Sequence, residues 1–235
     1  MTIPLIFLPG MMCDSRVFGP QVGALSLDRS VQVREIDAAE NVADLAALVL
    51  AEAPKSFALV GLSMGGIVAM EIIRQAPDRV AGAALMDTNP LAEAEHLRAL
   101  RGLQMDKALA GHLFEVLRDE MKPNYLVPGP NRDAVLELCM DMAMMLGPDV
   151  FCRQSIALRD RPDQRETLRN YQGSSLILCG QKDALCPVSR HELMHELMPS
   201  STLCVIEDAG HLPTLEQPTK TNAALACWLK EIGNG

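Results

Sequence analysis

Gly61-Leu62-Ser63-Met64-Gly65 sets a serine between two glycines, with an apolar β-like run before it and a helix-like run after it. On a tight strand-to-helix turn, small residues let the backbone take strained dihedrals and lift the serine clear of the sheet. The five-residue pattern is common by chance, so its context carries the argument. Phe57-Ala-Leu-Val-Gly-Leu62 precedes it, and Gly65-Gly-Ile-Val-Ala-Met-Glu-Ile-Ile-Arg74 follows with helical apolar spacing. Gly66 would let that helix pack close to the strands. The competing reading is an ordinary glycine-rich turn, which only suitable partners for the serine can displace.

Serine is a poor nucleophile at neutral pH and needs a base, which in turn needs an orienting acid. His211 suits the base: it lies in Asp208-Ala-Gly-His-Leu-Pro213, after the last β-like run and before the last helix-like one. The other four histidines fall in helix-like stretches. Asp183 is the leading acid, since it follows Leu178-Cys-Gly-Gln-Lys at the end of a β-like run. Asp87, which closes Leu85-Met-Asp-Thr-Asn89, is the alternative. Asp208 is three residues from His211, a spacing suited to bracing the loop rather than reaching the ring. An attacked carbonyl also needs donors for its developing oxyanion. The backbone N–H of Met64, at a helix N-terminus, is one candidate; the N–H of Met11, in the turn Leu8-Pro-Gly-Met11, is the other.

A rival motif is His191-Glu-Leu-Met-His195, the H-E-x-x-H spacing that can hold zinc on a helix. Ser189-Arg-His-Glu192 reads as a capping box, which gives Glu192 a local role, and Pro199 ends the helix soon after. Glu216 is at a plausible distance for a third ligand. The expected state is an exposed helix with incidental histidines and no metal. Cys186 reads as a small buried thiol rather than a second nucleophile.

These residues must be positioned by a larger frame. β-like runs occur at Ile3–Leu8, Val31–Ile36, Phe57–Leu62, Val80–Met86, Ser175–Cys179 and Thr202–Ile206, and helix-like runs at Ala39–Ala53, Met64–Gln75, Ser189–Met198 and Gln217–Ile232. Their alternation predicts an α/β fold with a mostly parallel sheet of about six strands and helices on both faces. Continuous apolar runs are what strands buried on both sides require. The alternation stops between Asn89 and Asn170, where the chain is helix-like. We expect a core of residues 1–88 and 171–235 and a helical cap insertion at 89–170, placed where parallel sheets bind ligands; a structural appendage is the alternative. Met140-Asp-Met-Ala-Met-Met145 in that stretch suits either an adaptable pocket wall or core filler.

Composition limits the remaining possibilities. The chain has 235 residues and a formal charge of −9, which argues against nucleic-acid binding. No apolar run reaches membrane-spanning length. The N-terminal residues lack a basic n-region and read as a first strand. Seven cysteines without a C-x-x-C pair suggest free thiols and a cytoplasmic location.

Taken jointly, the motifs resemble the α/β-hydrolase superfamily, in its small esterase, enol-lactonase and C–C-bond hydrolase branch. Phe7-Leu-Pro-Gly-Met-Met12 looks like that family's oxyanion turn with Pro9 in place of histidine, Gly61–Gly65 like its nucleophile elbow, Gly180-Gln-Lys-Asp183 like its acid loop, and Gly210-His211 like its histidine loop. The resemblance implies a Ser63–His211–Asp183 triad, a small-molecule acyl substrate and no cofactor. A serine at position 63 sets the chain apart from the dehalogenase and epoxide hydrolase branches, which use aspartate there. Family members usually begin with a β-hairpin, whereas here the first strand starts at Ile3, so a six-stranded sheet is expected. Cleavage of an ester, thioester or lactone is the first expectation. A C–C hydrolase acting on a diketone is the runner-up; its carboxylate would want an arginine, and Arg153, Arg159 and Arg161 are available. A ligand-binding protein with a vestigial triad is a third reading.

Overall fold

The computed structural model describes residues 2–233. Six strands form one sheet in the order β2-β1-β3-β4-β5-β6: β1 (Leu5–Leu8), β2 (Val31–Val33), β3 (Phe57–Leu62), β4 (Val80–Met86), β5 (Ser174–Gly180) and β6 (Thr202–Ile206). Every neighbouring pair is parallel, so each connection must cross over the sheet, and helices do so. The helices of the frame are α1 (Gly19–Leu25), α2 (Val42–Glu52) and α3 (Met64–Gln75). Between β4 and β5 come α4 (Glu95–Lys107), the single turn α5 (Leu113–Glu115) set between π-helical turns, α6 (Arg132–Arg159) and α7 (Arg165–Asn170). The chain closes with α8 (Val188–Leu197), α9 (Pro213–Glu216) and α10 (Pro218–Gly233).

Alternate residues of the central strands feed two cores. Ile6, Leu8 and Leu59 pack with Leu45 of α2, Val68 of α3 and Met194 of α8 on one face. Leu5, Phe7 and Val60 pack with Leu25 of α1 and with Leu225, Trp228 and Leu229 of α10 on the other. All residues of β1 and β3 are buried, which is why their sequences are unbroken apolar runs. The expected strands are therefore present, with β1 and β2 shorter than read and β5 one residue longer at each end.

Helix α2 starts later than the apolar spacing suggested because Asn41 caps it, accepting from the Asp44 N–H at 2.8 Å. Helix α8 departs from expectation in the other direction. Its first residue is Val188 and its N-cap is Pro187, with no side-chain cap, so Ser189 lies inside the helix and the capping box does not form. Residues 89–170 hold helices and no strand among the described residues. Helix α6 kinks at Gly147-Pro148, where Gly147 has φ +79° and the proline has no N–H to donate.

Candidate active site

The turn at Ser63 is built by exclusion of side chains. A Cβ on Gly61 would lie 2.5 Å from the Gly65 carbonyl oxygen, and a Cβ on Gly65 would overlap the Leu8 carbonyl in the neighbouring strand. Gly66 lies against Thr88, with room for a Cβ only 2.6 Å from the Thr88 side chain. Ser63 itself has φ +53° and ψ −114°, a strained conformation that costs on the order of 1–3 kcal/mol. Hydrogen bonds hold it there: its N–H donates to Met86 O at 2.8 Å, and its carbonyl accepts from Thr88 Oγ1 at 2.7 Å and from the Gly66 N–H at 3.0 Å.

Three strand ends then converge. Ser63 follows β3, Asp183 follows β5 and His211 follows β6, all at the carboxyl edge of the sheet. His211 Nε2 lies 2.9 Å from Ser63 Oγ, and His211 Nδ1 lies 2.8 Å from Asp183 Oδ2. The other carboxylate oxygen of Asp183 accepts from the N–H groups of Leu185 at 2.8 Å and Cys186 at 3.0 Å. Burial pushes the Asp183 carboxyl upward, but the charge and hydrogen bond of His211 and the two amides outweigh it, so it titrates below the ordinary carboxylate value. An ionised acid against a ring N–H is the arrangement that fixes the other nitrogen as a proton acceptor.

Asp87 lies in the same region, and among the described residues it makes no hydrogen bond to the histidine. Its Oδ1 accepts from the Gly180 N–H at 2.8 Å, and it is fully buried with φ +45°. Burial, then the negative charge of Asp183, hold its carboxyl well above the usual range. Asp208 points outward to Lys182 Nζ at 3.2 Å. Of the three aspartates considered, the structure brings Asp183 to His211.

The two oxyanion candidates border the serine. The Met12 N–H is taken by Gln154 Oε1 at 2.8 Å and the Cys13 N–H by Gly10 O at 3.2 Å. The N–H groups of Met11 and Met64 have no acceptor among the described residues. Both methionines line a cavity of about 220 Å³ that also exposes Ser63 and His211. Its outer wall comes from the helical insertion, through Leu97, Leu100, Arg101, Tyr125 and Leu158. The Met140–Met145 cluster does not line it; Met142 packs in the core and Met145 is exposed. Arg153 instead donates to Asp37 O at 2.7 Å and Arg159 pairs with Asp160, whereas Arg161 reaches the cavity wall.

The H-E-x-x-H residues serve the frame. His191 is fully buried, not exposed as expected; its Nε2 accepts from the Thr88 N–H at 3.1 Å and its Nδ1 faces Pro187 O. Burial lowers its pKa to about 4. His195 bonds Ser201 Oγ at 2.8 Å. With its ring nitrogen already engaged by a backbone amide, His191 has no lone pair free for zinc. Among the described residues, the donors that cluster within 4.8 Å are those of Asp183, Cys186 and His211, which belong to the serine site. Desolvation, then the charges of Asp183 and Asp87, hold the Cys186 thiol well above its ordinary pKa.

Several residues that hold the site carry no local signal. Gln154 of α6 bridges the Met12 amide and Ile36 O, to which its Nε2 donates at 3.0 Å. Glu216 accepts from the N–H groups of Gly210 at 2.9 Å and Leu212 at 3.1 Å, on either side of His211, and from Val127 at 2.8 Å. Its sequence position suggested a metal ligand; its bonds make it the brace of the histidine loop. Tyr125 O accepts from the His211 N–H at 2.7 Å, and the tyrosine ring meets the imidazole edge-on at 5.3 Å.

Comparison with known proteins bears on the family of the chain. The model of a family described as the alpha/beta hydrolase family matches residues 5–224. The chain is 28% identical to a dihydrolipoyllysine-residue acetyltransferase component of an acetoin cleaving system from Pseudomonas putida, over 74% of this chain but only 45% of that protein. It is 26% identical to a pimeloyl-[acyl-carrier protein] methyl ester esterase from Vibrio campbellii, over 76% of this chain and 72% of that one. A solved structure of a thermophilic esterase from Thermogutta terrifontis, with malate bound, superposes with a TM-score of 0.88 at 26% identity, covering 99% of this chain and 91% of the other.

Proposed function

This chain belongs to the alpha/beta hydrolase family, and on that premise we propose that it hydrolyses a carboxylic ester, thioester or lactone through an acyl-enzyme on Ser63. One observation carries the reading: an unbroken hydrogen-bond line from Ser63 Oγ through His211 to Asp183, ending on the wall of a cavity. The esterases among the relatives support the same bond class.

In this mechanism Ser63 Oγ attacks the substrate carbonyl while His211 Nε2 takes its proton. Asp183 keeps the ring oriented and stabilises the imidazolium. The carbonyl oxygen, now negative, is received by the N–H groups of Met11 and Met64, the second at the head of α3 where the helix dipole favours an anion. His211 returns its proton to the leaving alcohol, thiol or ring oxygen. Water, activated by the same nitrogen, then resolves the acyl-enzyme. Asp87, whose carboxyl is shifted towards its neutral form by burial and by the charge of Asp183, does not orient the histidine. The 89–170 insertion acts as a cap, supplying the wall against which the substrate rests.

Replacing Ser63 by alanine tests this directly. Turnover of a p-nitrophenyl butyrate reporter should fall by about 10⁶ with the fold unchanged. A loss of less than tenfold would remove Ser63 as nucleophile. Wild type releasing one equivalent of product and then stopping would favour a binding protein over an enzyme.

A further inference from the structure

The cavity beside Ser63 carries an uneven charge balance. Glu93 divides one carboxylate between two guanidinium groups. Arg161 Nη2 and Nη1 donate to its two oxygens at 3.0 and 3.2 Å, and Arg101 Nε and Nη2 both approach Oε2, at 2.8 and 2.7 Å. Arg161 spends its remaining Nε on Leu91 O at 2.9 Å. All three side chains line the cavity. The other carboxylate there, Glu120, is already matched by Lys107 at 2.6 Å and Gln104 at 3.2 Å. Two arginines against one glutamate leave a surplus positive charge on the wall.

That surplus has a definite outlet. Arg161 is 7% exposed and has an oxygen partner on each of its three nitrogens, whereas Arg101 keeps one nitrogen, Nη1, whose protein neighbour is the Met11 thioether sulfur at 3.7 Å. A thioether is a weak acceptor. Glu93 grips the other side of the guanidinium, so Nη1 is held in place. A guanidinium partly removed from water with an unmatched donor is costly, unless an anion completes it. Met11 also carries the backbone N–H assigned to the oxyanion, so the free nitrogen lies one methionine side chain away from the reacting carbonyl. Ile67, Leu97, Leu100 and Leu158 supply apolar wall elsewhere in the same cavity.

We propose that Arg101 is an anion-binding residue that selects substrates carrying a second, ionised carboxylate a few bonds from the scissile carbonyl. Monoesters of short dicarboxylic acids are the class that fits. Arg161 and Glu93 are positioning residues, which act by fixing the Arg101 fork. The inference rests on ester hydrolysis at Ser63 but is tested separately from it.

The experiment compares monomethyl succinate and monomethyl glutarate with methyl esters of monocarboxylic acids of the same chain length. Wild type should favour the anionic esters in kcat/KM. In Arg101→Gln that preference ratio should fall about tenfold or more, mainly through KM, because a charge-assisted bond is lost. Arg101→Lys should fall between, since an ammonium keeps the charge but not the fork. Calorimetric titration of wild type with glutarate, against butyrate, reads the subsite without turnover and does not depend on a variant folding. Glutarate should bind at least about tenfold more tightly, by the same charge-assisted bond. Equal ratios in wild type and Arg101→Gln, or equal binding of glutarate and butyrate, would overturn the proposal. Glutarate binding in a protein that hydrolyses no ester would instead keep the subsite and refute the reaction.

Discussion

Gln154 offers a way to disturb the proposed reacting centre from the insertion. Its side chain is buried, accepting from the Met12 N–H and donating to Ile36 O. Leucine fills nearly the same space but offers neither bond. Gln154→Leu leaves a buried amide and a buried carbonyl without partners, at about 1–3 kcal/mol each. The added apolar burial returns about 1 kcal/mol, so a net loss near 3 kcal/mol is expected. The kinetic effect follows from Met12, which is held at φ +55°. Once the bond that holds this strained residue is gone, the turn relaxes and the Met11 amide moves with it. A misplacement of about 1 Å costs on the order of 10²-fold in rate. Urea denaturation reads the first quantity and kcat on p-nitrophenyl butyrate the second. Gln154→Glu keeps the acceptor for Met12 and loses the donor to Ile36, so it should retain more activity than the leucine variant. If Gln154→Leu changed stability by less than about 0.5 kcal/mol and left kcat unaltered, the bridge would not hold the turn. Lost stability with unaltered kcat would make Gln154 a brace of the fold alone.

The acid assignment predicts that Asp183→Asn lowers kcat by about 10⁴, while Asp87→Asn, which keeps the size and the acceptor for the Gly180 N–H, lowers it less than tenfold; the reverse order in steady-state kinetics would exchange their roles. Stability should depend on pH through His191. Burial lowers its pKa from 6.5 to about 4 in the folded chain, so between these values the unfolded chain binds the additional proton. Its contribution is fully present above pH 6.5 and is lost as pH falls towards 4, a change of roughly 3 kcal/mol. His191→Gln should therefore flatten the fall in stability measured by denaturation between pH 7 and 4.5, and parallel curves for the two proteins would show that His191 is not buried neutral.

Local pattern made the frame legible. The strands from Phe57 to Leu62 and Val80 to Met86 and the helix from Met64 to Gln75 were readable to the residue, because each is a run whose period states its burial. The glycines around Ser63 were readable because a Cβ there would meet backbone at Gly61 and Gly65 and the Thr88 side chain at Gly66. What the sequence could not display is pairing over distance. Gln154 and Met12 are 142 positions apart, Glu216 and Val127 89, and Arg161 and Glu93 68, and nothing in the periodicity of either partner announces the other. His191 was misread for a related reason. It sits in a polar stretch at the start of α8, and its burial follows from the Thr88 amide that meets it from another strand end.

The central claim is that Ser63 is activated by His211. Intact-mass labelling with a fluorophosphonate probe, followed by peptide mapping, tests it on wild type and on His211→Ala. A single adduct on Ser63 that disappears with His211 is the predicted result. A folded protein that takes no label, or one labelled equally well without His211, would contradict it.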